Sequence, residues 1–405
     1  MNAERAPQVA DALRQAGYHG VICRLPQHVL LLTGYLPVLG NAFAVVALAP
    51  DGTAQARLLV PASEANLVPA GAAIAIETYT EETLERIDTT LTAAREPLDA
   101  LMRAAGLAAA GAIVGYEGAP VPVPPAYTQL GIPGPATLDL YRALLPQARL
   151  RDASDLLAGL AAVKTEAEVA GIRRAVDVAR AGFEAARAAV RVGASEADVA
   201  AEATAALLRA GYAHSALGRA QPHVHVMADK RAAQAHATFN FTSTAAIGRG
   251  ETVLVQIEMG VDGYWAELTR TFFAGEAPPP WAGIVRACAR AQDAALAAIR
   301  EGAHGAAVDA AARQVMREAG WGDAFMHGLG HGIGFQAINH GDAPILHPRS
   351  QAVLRAGMVH NLEPAAYLDG QGGFRLNDDV LVRRDGAEML SAGLPRDLDW
   401  LVVAD

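Results

Sequence analysis

Histidine and carboxylate placement is where this sequence shows chemistry. Of its twelve histidines, ten lie between His214 and His360. Four stand in suggestive surroundings: His236 in RAAQAHATFNF, and His327, His331 and His340 in HGLGHGIGFQAINHGDAP. Glycine lets backbone approach a ligand closely, so histidines beside it mark a cavity wall. An imidazole there can move protons near neutral pH or bind a metal. His223, His225, His347 and His360 are expected to stay outside the site, although PHVHV alternates so that its two histidines share a face. A second group is Gln256, Glu258, Glu267, Glu363 and Asn377, polar residues set in apolar strand patterns. Strand carboxylates commonly point outward from a half-solvated sheet. Glu363, between Met358-Val-His-Asn-Leu and Pro364, is instead expected to face an interior, where an ionised carboxylate needs a proton, a cation or a metal.

The elements that must position these residues read as two different halves. Residues 4–17 have helical periodicity. Short apolar strands are expected at Gly20–Arg24, Ala42–Ala49, 57–60, 73–76 and 112–116, with a helix near 63–69. Strands alternating with helices imply an α/β layer with a mostly parallel or mixed sheet. The proline-rich stretch 119–136 reads as a surface loop. Thr165 followed by Glu168 is a capping box opening a helix through about 190, and Ser195 opens another over 195–211. Strands over 252–259 and 264–273 flank Gly260-Val-Asp-Gly263, a hairpin signal. Helices over 280–300 and 306–319 and strands at 358–363 and 374–382 complete an α+β half.

Composition narrows the partners. At roughly 100–200 residues per domain, 405 residues suggest two or three domains. A net charge of −10 argues against nucleic acid and against an anionic membrane surface, both of which select basic faces. Cys23 and Cys288 stand alone, with no metal or redox spacing, which suits a reducing compartment. The first residues lack a basic head followed by an apolar stretch, and no window approaches about 18 uncharged apolar residues. A cytoplasmic protein acting on a small molecule is expected.

Five ordered segments resemble the creatinase/prolidase/aminopeptidase P family, known as the pita-bread family. They are KTEAEVAGIRRA, TVLVQIEMGVDGYWAELTRTFF, HGLGHGIG, LRAGMVHNLEPAAY and GGFRLNDDVLV. LLLTGYLPVLGNAFAVVALAPDG is similar to the N-terminal domain of aminopeptidase P and creatinase. The resemblance implies a creatinase-type α/β domain over 1–158 and a pita-bread domain over 159–405. It also implies a homodimer in which the loop starting at Thr33-Gly34-Tyr35 reaches the neighbouring pocket, so that Tyr35 would touch substrate.

In the family's peptidases two Asp, one His and two Glu hold two divalent ions. Carried onto this sequence, those positions are Gln256, Glu267, His331, Glu363 and Asn377. Two have become neutral amides, which are weak ligands, so a two-metal centre is not expected. Creatinase is the metal-free precedent, and the resemblance makes His236 the proton shuttle and Glu363 a holder of a cationic group. Glu267 is offset by two residues from creatinase's other glutamate, which keeps it on the same strand face. Arg375 matches the family arginine and can bind a substrate carboxylate or neutralise the acids. His327, His331, His340, Gln256, Glu258 and Asn377 complete the expected site. The reading that follows is a hydrolase, or a lyase, acting on a non-peptide C–N bond without a cofactor. The alternatives are an Xaa-Pro dipeptidase with one metal at Glu267, His331 and Glu363, and a non-catalytic binding module.

Overall fold

In the computed structural model the described residues are 1–404 apart from 39, 70–73, 119–133, 237–241 and 337–344. The chain divides into two compact units, Met1–Ala161 and Ala162–Asp405. Among the described residues no helix is long and apolar enough to cross a membrane.

The N-terminal unit is built on strands β1 (Gly20–Cys23), β2 (Phe43–Leu48), β3 (Ala54–Pro61), β4 (Ala75–Tyr79), β5 (Ile113–Tyr116) and β6 (Arg149–Asp152). They form one sheet in the order β4-β3-β2-β1-β5-β6. β1 pairs parallel with β5 and antiparallel with β2, so the sheet is mixed. Helices α1 (Arg5–Ala16), α2 (Pro26–Thr33), α3 (Thr90–Ala104) and α4 (Pro135–Leu144) belong to this unit. Most of the expected 119–136 loop lies outside the described residues, but its end is helical, because Pro135 occupies the first turn of α4. Proline's fixed φ suits that turn and its missing N–H has no partner to lose there. The short helix α5 (Ser154–Ala162) closes the unit.

The C-terminal unit opens with α6 (Glu166–Ala189) and α7 (Glu196–His214), each started by a capping box. Thr165 N–H donates to Glu168 at 2.8 Å, and Glu168 N–H returns to the Thr165 hydroxyl at 3.3 Å. The strands that follow are β7 (Ala220–Ala228), β8 (Thr252–Val261) and β9 (Tyr264–Ala274), with the one-turn α8 (Asp229–Ala232) after β7. The β8–β9 turn is Asp262-Gly263, both at positive φ (52° and 87°), the two-residue turn whose twist matches a hairpin.

All ten residues of β8 are buried, so both faces of that strand are covered. Val253, Val255, Ile257 and Met259 alternate onto the helical side. Ile257 and Met259 reach positions where a Cβ on Gly182 of α6 or Gly211 of α7 would come within 2.9 Å. Burying such side chains contributes about 1.5–3 kcal/mol each. The other face carries Gln256 and Glu258, because strand side chains alternate. Beyond lie α9 (Trp281–Ala298), α10 (Gly305–Glu318), β10 (Val359–Leu362), β11 (Ala365–Leu368), β12 (Gly372–Arg375), β13 (Asp378–Arg383) and β14 (Gly386–Met389). The expected strand over 374–382 is thus two strands, interrupted at Leu376-Asn377. There Asn377 exchanges both backbone hydrogen bonds with Thr269 of β9, at 3.1 and 3.2 Å. That bridge ties β12 and β13 to the β8–β9 hairpin. The chain ends in α11 (Leu398–Leu401) and β15 (Val402–Val403), which adds to β9.

Candidate active site

A cavity of about 210 Å³ opens in the C-terminal unit, lined by His236, Gln256, Glu267, His327, His331 and Glu363, with Arg375 and His347 completing its wall. The register of the sheet explains the convergence. Glu258 of β8 lies directly opposite Glu267 of β9, and Gln256 opposite Thr269. On the other side His223 of β7 lies opposite Glu258, and His225 opposite Gln256. Directly opposed residues share a face, so one face of the sheet is a grid of acids, amides and imidazoles.

Arg375, at the end of β12, is buried. Its Nη2 donates to Gln256 Oε1, and its Nη1 lies 3.8 Å from Glu363 Oε2. Gln256 Nε2 in turn donates to Glu258 Oε1 and lies 3.5 Å from Glu267 Oε1. Asn377 Nδ2 donates to the same Glu267 oxygen at 3.4 Å. Burial, with Glu363 and Glu258 nearby, pushes the Glu267 carboxyl well above the ordinary carboxylate range. Burial also raises Glu363, against the opposing pull of Arg375 and His331.

Three imidazoles are held alike. Nδ1 of His236 contacts the Ala233 carbonyl at 3.1 Å, that of His327 the Gly328 carbonyl at 2.8 Å, and that of His331 the Gly332 carbonyl at 3.1 Å. A carbonyl can only accept, so each Nδ1 donates and each Nε2 is left as the acceptor of a neutral ring. His327 Nε2 accepts from the Tyr367 hydroxyl at 3.1 Å. Burial lowers His327 to about 4, and burial raises the Tyr367 phenol to about 12, so both are neutral near pH 7. His331 Nε2 accepts from Asn361 Nδ2 at 3.1 Å. The Asn361 amide is oriented for this by its Oδ1, which accepts from the His331 backbone at 2.7 Å.

Of the residues singled out in the sequence, His236, Gln256, Glu267, His327, His331, Glu363 and Arg375 come together at the cavity. Glu258 and Asn377 stand behind it, bonded to Gln256 and Glu267. His340 lies outside the described residues. Tyr35 belongs to the N-terminal unit, where it is buried and its hydroxyl donates to Glu64 at 2.6 Å. Two histidines expected to stay outside the site, His347 and His225, lie at it, and Tyr367 was not singled out. His347 lines the cavity, Tyr367 bonds His327, and His225 places Nε2 3.3 Å from Glu258 Oε2. The shared face of PHVHV was the one signal for His225; the other two are brought in by pairing that sequence does not display.

The donor set bears on metal binding. Among the described residues, the one trio of His, Cys, Asp or Glu ligand atoms all within 4.8 Å of one another is Cys23, His28 and Glu117, in the N-terminal unit. There Glu117 accepts from the backbone of Arg24 (2.8 Å) and Leu25 (3.0 Å) and contacts His28 Nδ1 (2.7 Å), which makes it an anchor for the start of α2. Glu267, His331 and Glu363 are spread more widely than that trio.

Comparison with known proteins agrees with this architecture. Residues 170–384, a little over half of the chain, match metallopeptidase family M24. A putative dipeptidase, YkvY of Bacillus subtilis, is 31% identical over 236 residues, covering 58% of this chain and 62% of its own length. An agropine synthesis cyclase of Rhizobium rhizogenes is 33% identical over 271 residues, 63% and 66% of the two chains. The chain thus spans about three fifths of the length of the first curated relatives. The crystal structure of dipeptidase PepE from Mycobacterium ulcerans superposes with a TM-score of 0.72 at 27% identity, covering 99% and 97% of the two chains. The fold is the pita-bread fold, and the chain belongs to metallopeptidase family M24.

Proposed function

We propose that the chain is an M24-family hydrolase that cleaves a C–N bond of a small polar substrate without a pair of divalent ions. The observation that carries this reading is the Arg375–Gln256–Glu258 chain of hydrogen bonds. Where the resemblance places a metal-binding carboxylate, a neutral amide turns its oxygen to a guanidinium and its nitrogen to two acids. Two dications need anionic oxygens between them, and Gln256 and Asn377 supply none.

His236 then serves as the proton carrier. Its Nε2 takes a proton from water as the oxygen bonds to the substrate carbon, and returns it to the nitrogen as the C–N bond breaks. Glu363 and Glu267 orient a nitrogen-bearing group, and Arg375 faces a carboxylate or carbonyl oxygen. The Tyr367–His327 pair holds that wall neutral.

A second reading is a dipeptidase, which the names of YkvY and PepE favour over a non-peptide substrate. In it Glu267, His331 and Glu363 would hold one ion, whose chemistry would be polarisation of the scissile carbonyl. The Asn361 Nδ2 bond to His331 Nε2 opposes it, because it uses the lone pair an ion requires. The cyclase relative supports keeping the reaction class wider than peptide hydrolysis. A homodimer rests on the resemblance.

The deciding experiment is elemental analysis of purified protein, paired with a turnover screen of Xaa-Pro dipeptides and small amides or guanidino acids, with and without chelator. Chelator-resistant turnover of a non-peptide is expected. Near-stoichiometric Mn, Fe, Co or Zn with chelator-sensitive dipeptide cleavage would establish the second reading instead.

A further inference from the structure

We infer that Glu258, together with His225, is a positioning pair that orients Gln256 and through it holds Arg375 off Glu363. The inference rests on the reading of this pocket as catalytic and adds to it residues that do not line the cavity.

Glu258 is an expensive residue where it stands. It is fully buried on β8, and its directly opposed neighbour on β9 is another acid, Glu267. Like charges directly opposed on a sheet destabilise it. Among the described residues Glu258 Oε2 makes no hydrogen bond, although His225 Nε2 lies 3.3 Å away. A merely structural carboxylate in such a place would be satisfied at both oxygens, as Asp378 is by Arg270, Ser391 and Gln292.

The one hydrogen bond that Glu258 accepts has a definite consequence. With its nitrogen held by Glu258 Oε1, the Gln256 amide can only turn its oxygen toward Arg375. The reverse orientation would set the amide oxygen against Glu258 and Glu267, and its N–H groups against a guanidinium. Arg375 is therefore fixed from the Gln256 side. Its Nη1 stays 3.8 Å from Glu363, beyond hydrogen-bonding distance, and keeps donor capacity for a substrate. Without Glu258, the nearest strong acceptor for Arg375 is Glu363, and a closed ion pair would remove both groups from the cavity wall. His225 lies diagonally across from Glu258 on β7 and limits how far its carboxylate can swing.

Two measurements test this without knowledge of the substrate. Glu258→Gln keeps an acceptor for Gln256 and removes the charge opposite Glu267. Its thermal midpoint is expected to rise by roughly 2 °C or more, and the rise should disappear in a Glu267→Gln background. An unchanged or lower midpoint would show that the fold gains nothing from losing this charge and would overturn the inference. Crystal structures of the variants are the second measurement. In Glu258→Ala the Arg375–Glu363 contact should close to about 3.2 Å or less, whereas Glu258→Gln should retain the native separation. Unmoved Gln256 and Arg375 in Glu258→Ala would also overturn it; if that variant does not fold, the Glu258→Gln midpoint still decides. Failure of the catalytic reading would register elsewhere, as unchanged turnover in His236→Ala.

Discussion

His331 Nε2 and Glu267 Oε2 face each other at 3.5 Å inside the cavity. Nε2 is an acceptor, because Nδ1 spends its proton on Gly332. With the Nε2 lone pair already accepting from Asn361 Nδ2, an ionised Glu267 would set acceptor against acceptor, a repulsion that a protonated carboxyl lessens.

The pH dependence of stability follows. Burial raises Glu267, Glu363 and Asp379 above ordinary carboxylate values in the folded state. At these three groups the folded protein binds more protons than the unfolded chain above about pH 4, whereas the lowered His327 and His223 act in the opposite sense below the ordinary histidine range. The carboxyls' contribution is fully present below the unfolded pKa and is lost as pH rises through the folded values. Urea midpoints should be higher at pH 7 than at pH 8, and Glu267→Gln should flatten the decline. A decline between pH 7 and 8 that Glu267→Gln leaves unaltered would contradict this.

His236→Ala should lower turnover of the identified substrate by about 10²–10⁴-fold. The ring is exposed and its one described hydrogen bond is to Ala233 in the same turn, so the thermal midpoint should barely move. Steady-state kinetics beside a melting curve would separate the two effects.

Tyr367→Phe removes the hydroxyl that His327 Nε2 accepts from. Leaving that buried nitrogen unpaired should cost about 1–3 kcal/mol of stability. The ring should stay neutral, since desolvation sets its low value. Histidine NMR of the variant should show no imidazolium at residue 327 between pH 6 and 8.

Gly330→Ala tests the loop beneath His331. An added Cβ would meet the Asn361 carbonyl oxygen at 2.0 Å and the Asn361 side-chain oxygen at 2.7 Å. The backbone must shift, and Asn361 is the residue that holds His331 by two side-chain hydrogen bonds and one between backbones. A stability loss of at least about 2 kcal/mol is expected, with turnover falling further than stability alone explains. A wild-type melting curve would refute it.

Local chemistry made much of this legible. Thr165 with Glu168 announced α6, and Asp262-Gly263 announced the hairpin that carries Gln256 and Glu267, because both signals reside in a few adjacent residues. Pairing across the sheet was not legible. Nothing near Glu258 says that it will stand opposite Glu267, or that β7 will bring His225 beside it, since register pairs residues up to 41 positions apart in sequence, as Ala220 with Val261. His347 and Tyr367 were hidden for the same reason, and α4 because a proline-rich approach obscured the proline that begins it.

The three Nδ1–carbonyl contacts of His236, His327 and His331 carry a consequence for descent. Each imidazole takes its orientation and tautomer from main chain within three residues of itself, not from neighbouring acids. Carboxylates around the cavity can thus be exchanged for amides, or added, without disturbing the bases. A lineage can rewrite its charged groups one at a time and keep a working set of proton acceptors at every step.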